Sequence, residues 1–119
     1  MGTHNNHMKL YETFKKDAEN ANNSKQSRVE IYFLSIFHLI EACAAKHNIH
    51  INKHQRIRNI LEENTDIFKD KTDNVWRTFQ TIETRLRPKF SYGFSWTDED
   101  FNELISLYEK LENICMGVI

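Results

Sequence analysis

The sequence predicts an all-α protein, an up-and-down bundle of four long helices and one shorter helix. Apolar residues recur at three- and four-residue spacing in five segments joined by short connections. Only three glycines and one proline occur in 119 residues, which favours long helices over tight hairpins. No stretch of strand length alternates apolar with polar residues, so we expect no sheet.

The length of the chain is that of a single domain, which we place at residues 8–119. Residues 1–7 have no apolar periodicity and are typical of an expression remnant, with Met8 as the natural start. We therefore expect residues 1–7 to stay outside the fold.

The first helix is expected at about residues 9–21 and is followed by a turn and cap signal at 22–24. The second helix, at about 25–47, is apolar nearly all round, which is typical of the centre of a bundle. A shorter third helix is expected at about 53–63, with Asn52 as its cap.

A polar linker at residues 64–73 contains Ile67-Phe68, which we expect to turn inward. The fourth helix, at about 72–87, carries a clean 4-3-4 apolar repeat. Its members are Val75, Phe79, Ile82 and Leu86. Pro88 has no backbone N–H and disfavours αR geometry in the preceding residue, so the helix should kink or end near Arg87.

The fifth helix is expected at about residues 98–116, with Thr97 as its N-cap and three acidic residues in its first turn. One face of this helix is apolar. Its members are Phe101, Leu104, Ile105, Tyr108, Leu111 and Cys115.

Composition excludes several classes of function. A net charge of −1 and a near-neutral pI argue against a general nucleic-acid or anionic-membrane surface. No apolar run approaches the roughly 20 residues that span a bilayer. Cys43 and Cys115 lie in apolar helical patterns and are expected to be buried free thiols. We expect a cytoplasmic protein without a membrane partner.

Three cations stand close together at the end of the fourth helix: Arg85, Arg87 and Lys89. Guanidinium groups suit phosphate oxygens, and Tyr92 follows them closely, so these four residues are the candidate ligand or phosphate site. The alternative is that the cations cap the last carbonyls of the helix.

The aromatic residues that follow also allow two interpretations. Phe90, Tyr92, Phe94 and Trp96 alternate with other residues and are candidates for stacking on bases. Such segments more often close one end of a bundle or form a dimer interface, and we favour that packing role.

Histidines are the remaining candidates for chemistry. His38 lies one turn from Glu41 on a stripe that also contains Glu30, either as an acid-base pair or as a hydrogen-bonded histidine. The three histidines at positions 47, 50 and 54 are spaced like metal ligands, but no cysteine or paired carboxylate stands beside them. We therefore expect no metal site and no cofactor.

Two stretches resemble the HEPN superfamily of small helical bundles. Residues 32–42, followed by His54, Arg56 and Arg58, resemble the central helix of that family and the start of its next helix. Residues 83–93 resemble the helix that bears the family motif. The likeness covers most of the chain from Met8 onward.

Active HEPN ribonucleases carry an arginine, four to six residues, then a histidine that is often followed by x-Tyr. Arg85 matches the arginine and Tyr92 the tyrosine, but Phe90 stands where the histidine should be. A phenyl ring cannot transfer a proton, so the resemblance implies a protein without ribonuclease activity. It also implies a homodimer, or a minimal nucleotidyltransferase as partner.

Three functions remain open from the sequence. The first is a HEPN-like accessory protein that binds a partner, a nucleotide or RNA through Arg85, Arg87 and Tyr92. The second is a metal-independent ribonuclease that uses Arg85 and Tyr92, with His38 or His54 in place of the missing histidine. The third is a structural homodimer.

Overall fold

The computed structural model describes residues 3–93 and 95–119, and within these ranges it contains helices and no strand. The prediction of an all-α bundle is therefore confirmed. The helices are α1 His4–Glu19, α2 Lys25–Ala45, α3 Ile57–Glu63, α4 Thr72–Thr81, α5 Arg87–Tyr92 and α6 Asp98–Val118. Short 3-10 turns occupy His54–Arg56 and Lys69–Lys71, and a π-helical turn, Ile82–Leu86, joins α4 to α5.

The long helices alternate in direction, as expected for an up-and-down bundle. Helices α1 and α2 are antiparallel, because Arg28 near the start of α2 donates to the carbonyl of Ala18 near the end of α1, at 2.7 Å. Helix α6 runs parallel to α2, because Lys25 at the start of α2 pairs with Asp98 at the start of α6. The continuous helix α4–π–α5 lies between them in the chain and runs the other way.

Helix α2 is the centre of the bundle, as its composition predicted, and twelve of its 21 residues are buried. Ser35 links it to two neighbouring helices. Its hydroxyl donates to the carbonyl of Tyr11 on α1 at 3.0 Å and lies 2.8 Å from the hydroxyl of Tyr108 on α6. Since the single Ser35 proton is used on Tyr11, the phenol of Tyr108 donates to Ser35.

The helix that bears the motif does not end at Arg87, which corrects one alternative of the sequence analysis. The N–H of Arg87 donates to the carbonyl of Ile82, five residues earlier, and the chain remains helical to Tyr92. This π-turn places Pro88 in the first turn of α5, where a missing N–H costs little. The helix stops at Gly93, whose N–H donates to the carbonyl of Lys89 at 3.2 Å.

The expectation that residues 1–7 stay outside the fold is wrong for the part of that segment which the structure describes. Helix α1 begins at His4, and the Thr3 side chain caps it by accepting from the N–H of Asn6. The His4 ring bonds to the carbonyl of Ala42 at 2.9 Å, and His7 is buried. The segment lacks apolar periodicity because its contacts with α2 are made by polar imidazoles.

Helix caps agree with the sequence at two of three positions. Ser24 caps α2, and Thr97 forms a capping box with Asp100 at the start of α6. Asn52 does not cap a helix as expected, because its backbone is left-handed (φ 65°) and the next helical turn begins at His54.

The interior contains the residues that the apolar patterns predicted. The fourth-helix repeat, Ile67, Phe68 and both free cysteines are buried, as is the α6 face except for the half-buried Ile105. None of the described helices carries an apolar run long enough to cross a membrane.

Candidate functional site

The structure places two of the three predicted cations against α6. Arg85 forms a two-pronged contact with the carboxylate of Glu103, and Lys89 donates to Asp100 at 3.1 Å. Asp100 and Glu103 lie one turn apart on α6, so they face the two cations on the neighbouring helix. We call Arg85, Lys89, Tyr92, Asp100 and Glu103 the α5–α6 face.

The third cation points to a different helix. The guanidinium of Arg87 donates to Glu30 of α2 through Nε at 2.8 Å and through a terminal nitrogen at 3.3 Å. The Ser91 hydroxyl donates to the same carboxylate at 2.8 Å, and the guanidinium lies 4.3 Å above the ring of Phe33. A phosphate site requires cations that converge on one ligand. These three cations therefore do not form such a site.

Two of the acidic partners of these cations, Glu30 and Asp100, have lowered pKa values. Burial raises the pKa of Glu30, but the hydrogen bonds from Arg87 and Ser91 outweigh it, so the pKa of Glu30 is lowered. The backbone N–H of Thr97 and the ammonium of Lys89 lower the pKa of Asp100. Because each cation already contacts a carboxylate, an incoming phosphate must displace an existing partner.

The two aromatic residues of the motif have opposite environments. Phe90, which stands at the position of the family histidine, is 3% exposed and stacks on Trp96 at 5.0 Å between ring centres. Tyr92 is 87% exposed. Phe90 and Trp96 thus close one end of the bundle, as the packing interpretation expected, whereas Tyr92 projects into solvent. Phe94 lies outside the described residues.

A second polar contact beside Phe33 involves the π-turn that precedes Arg87. The imidazole of His54 bonds to Glu83 on the π-turn and meets the Phe33 ring edge-on at 5.1 Å. Phe33 therefore contacts both His54 and Arg87. The cavity beside His54 is about 10 Å³, which holds at most one water molecule. This cluster is packed structure, with no room for a substrate group.

Helix α3 lies beside α4, and its Arg58 packs on an aromatic ring of that helix. The guanidinium of Arg58 lies 4.1 Å above the ring of Trp76, and that of Arg77 lies 4.6 Å from the same ring. Arg58 also pairs with Glu62 one turn along its own helix, at 3.4 Å. Both guanidiniums therefore pack on the same indole ring, and they do not add to the cations of the motif.

His38 is not near the motif and joins a cluster that the sequence analysis missed. Its Nδ1 lies 3.0 Å from Nδ1 of His7, and the two nitrogens lie 3.5 Å and 3.7 Å from the same oxygen of Glu41. These three groups form the one set of potential metal ligands found within residues 3–93 and 95–119. The histidines at 47, 50 and 54 do not form such a set.

Burial controls the protonation of this cluster. Burial, followed by the neighbouring His7, lowers the pKa of His38 to about 4. Burial and then His50 lower the pKa of His7. Burial raises the pKa of Glu41, and this effect outweighs a hydrogen bond from the Asn52 backbone, which lowers the pKa. The spacing of His38 and Glu41, one helical turn apart, was the sequence signal for this cluster. Its third member, His7, was missed because residues 1–7 were excluded.

A surface depression of about 460 Å³ lies between α1 and the end of α6 and contains none of the predicted site residues. Comparison of the chain with protein-family models, curated proteins and solved structures gives no significant match. The resemblance to the HEPN superfamily therefore stays a prediction, and function must be argued from the geometry.

Proposed function

We propose that this chain is a HEPN-like interaction protein without ribonuclease activity, and that it works as a homodimer joined through the α5–α6 face. The observation that carries this proposal is the exposure of Tyr92, of which 87% faces solvent beside two ion pairs. Exposed aromatic residues with a charged rim are typical anchors of protein interfaces.

The charges of this face suit a second copy better than a nucleic acid. Two cations, Arg85 and Lys89, lie beside two anions, Asp100 and Glu103, so the face carries no net charge. A two-fold interface pairs a patch with itself, which requires both signs of charge within one patch. A phosphate backbone instead favours unpaired cations.

The site of the missing histidine supports the absence of catalysis. Phe90 is enclosed by Trp96 and by Phe101, whose ring centre lies 6.3 Å from that of Phe90. The phenyl ring of Phe90 has no titratable group with which to move a proton from a ribose hydroxyl. His54, the nearest alternative, is engaged by Glu83 beside a cavity too small for a nucleotide.

Sedimentation equilibrium over a range of protein concentrations tests the dimer. The wild type should be dimeric, and Tyr92→Ser should shift it toward monomer. Met116→Ser is the matched control, because Met116 is 44% exposed on α6 and lies outside this face. A wild type that stays monomeric throughout, or a Tyr92→Ser variant that dimerises like wild type, contradicts the proposal.

Two further variants examine the role of the charges. Arg85→Glu places two like charges together and should weaken association, and adding Glu103→Arg should restore it. A fluorescent oligouridine mixed with the same proteins tests the alternatives. Binding that Arg85→Ala weakens, without any dimer, favours a nucleic-acid ligand. Cleavage that Arg85→Ala abolishes favours the ribonuclease.

A further inference from the structure

We propose that His7, His38 and Glu41 form a binding site for a divalent transition-metal ion, with Zn²⁺ as the natural probe. The three side chains come from two helices, α1 and the central α2, and each offers one ligand atom. Two imidazoles and one carboxylate are a common set of protein ligands for zinc and other first-row metals. This site is independent of the α5–α6 face.

The spacing of the ligand atoms fits an ion of this kind. Bonds of about 2.05 Å in a tetrahedral site separate neighbouring ligand atoms by about 3.3–3.4 Å. The two Nδ1 atoms of His7 and His38 are 3.0 Å apart, and they lie 3.7 Å and 3.5 Å from Oε1 of Glu41. These separations bracket the tetrahedral value, so an ion can enter with small side-chain shifts.

The carboxylate of Glu41 lacks a permanent cation. Glu41 is 6% exposed, and its ion-pair contacts within the described chain are with the imidazoles of His7 and His38. A buried carboxylate is normally paired with a cation or coordinates a metal. A divalent ion supplies the missing positive charge, and neutral imidazole is the form that metals bind.

The surroundings hold the ligands in place. Glu41 and His38 lie one turn apart on the central helix, and the ring of Phe14 stacks on His38 at 5.7 Å. His4, one turn before His7, bonds to the carbonyl of Ala42 and fixes the start of α1 against α2. Three protein ligands leave one coordination position for water or another small ligand.

Titration of EDTA-treated protein with ZnCl₂ against a fluorescent chelator tests the site. One Zn²⁺ should bind per chain and raise the melting temperature. Glu41→Gln and His38→Gln keep the size of each side chain and its capacity to hydrogen-bond, and each should weaken binding by at least about tenfold. His47→Gln changes an exposed histidine outside the proposed site, and this variant should bind Zn²⁺ like wild type.

CoCl₂ gives a second measurement that does not depend on stability. Bound Co²⁺ should show the visible absorption of a tetrahedral site in wild type and lose it in Glu41→Gln, while circular dichroism confirms that the variant is folded. The proposal is overturned if wild type binds no zinc. It is also overturned if Glu41→Gln leaves zinc binding unchanged and His47→Gln removes it.

Discussion

Arg87 of α5 and Glu30 of α2 are joined by two hydrogen bonds between their side chains, at 2.8 Å and 3.3 Å. The π-turn carries the helix past Pro88 without ending it, and the Ser91 hydroxyl in the following turn donates to the same carboxylate. The guanidinium also packs on Phe33, a fully buried residue of the core. Arg87 therefore acts as a structural tie, whereas Arg85 lies at the surface.

Arg87→Ala should lower the free energy of unfolding by about 1–3 kcal/mol. It removes two charge-assisted hydrogen bonds and the contact with Phe33, and it leaves Glu30 without its cation. Urea denaturation followed by circular dichroism measures the change.

Arg85→Ala is the matched control, because Arg85 lies on the same continuous helix and also pairs with one carboxylate. Its side chain is 51% exposed against 30% for Arg87, and exposed pairs contribute little, so the expected loss is about 0.5 kcal/mol or less. Equal losses for the two variants would show that Arg87 is not a structural tie.

Glu30 should make the stability of the protein depend on pH in the acid range. Its folded pKa lies below the ordinary value of 4.5, because Arg87 and Ser91 hydrogen-bond to the carboxylate and outweigh burial. Below pH 4.5 the unfolded chain binds the proton first, so the stabilisation is complete above that pH and is lost as pH falls through the folded pKa.

Comparison of wild type with Glu30→Gln isolates this contribution. The wild type should be more stable by about 1 kcal/mol at pH 7, a modest value because the Glu30 side chain is 39% exposed. The difference should shrink as the pH falls below 4.5. A difference that stays constant from pH 7 into the acid range would assign the effect to packing instead.

Restoring the motif histidine should damage the fold and produce no ribonuclease. Phe90→His puts a polar ring against the aromatic rings of Trp96 and Phe101, so we expect a loss of about 2–4 kcal/mol in the free energy of unfolding. Thermal unfolding and an RNA cleavage assay measure the two effects. Cleavage by a stable Phe90→His variant would show that this position faces a latent site.

The bundle could be predicted from the sequence because each long helix has its own local apolar signal. The 4-3-4 apolar repeat that begins at Val75 and the all-round apolar pattern of α2 each specify buried faces. Neither pattern depends on which helix packs against it. The π-turn could not be predicted in the same way. Pro88 signals a break in α geometry, but only packing of the following turn against Glu30 decides that the helix continues.

The candidate site was harder to predict because it depends on contacts between distant segments. The sequence identifies Arg85, Arg87 and Lys89 as a cluster, but their partners lie 11 to 57 residues away on two other helices. The same holds for His7 and His38, which are 31 residues apart. No local spacing signals such a pair, and the treatment of residues 1–7 as a remnant removed one member from consideration.

Whether the N-terminal segment belongs to the fold can be tested by removing it. Deletion of residues 1–7 takes away the Thr3 cap, the bond from His4 to Ala42 and the buried His7, so we expect a loss of about 1–3 kcal/mol in EDTA-containing buffer. Chelation keeps any metal contribution out of the comparison. Asn5→Ala, at an exposed position of the same turn, should stay within about 0.5 kcal/mol of wild type. A truncated chain as stable as the full one would mean that α1 needs no residue before Met8, and that the imidazole contacts with α2 contribute no net stability.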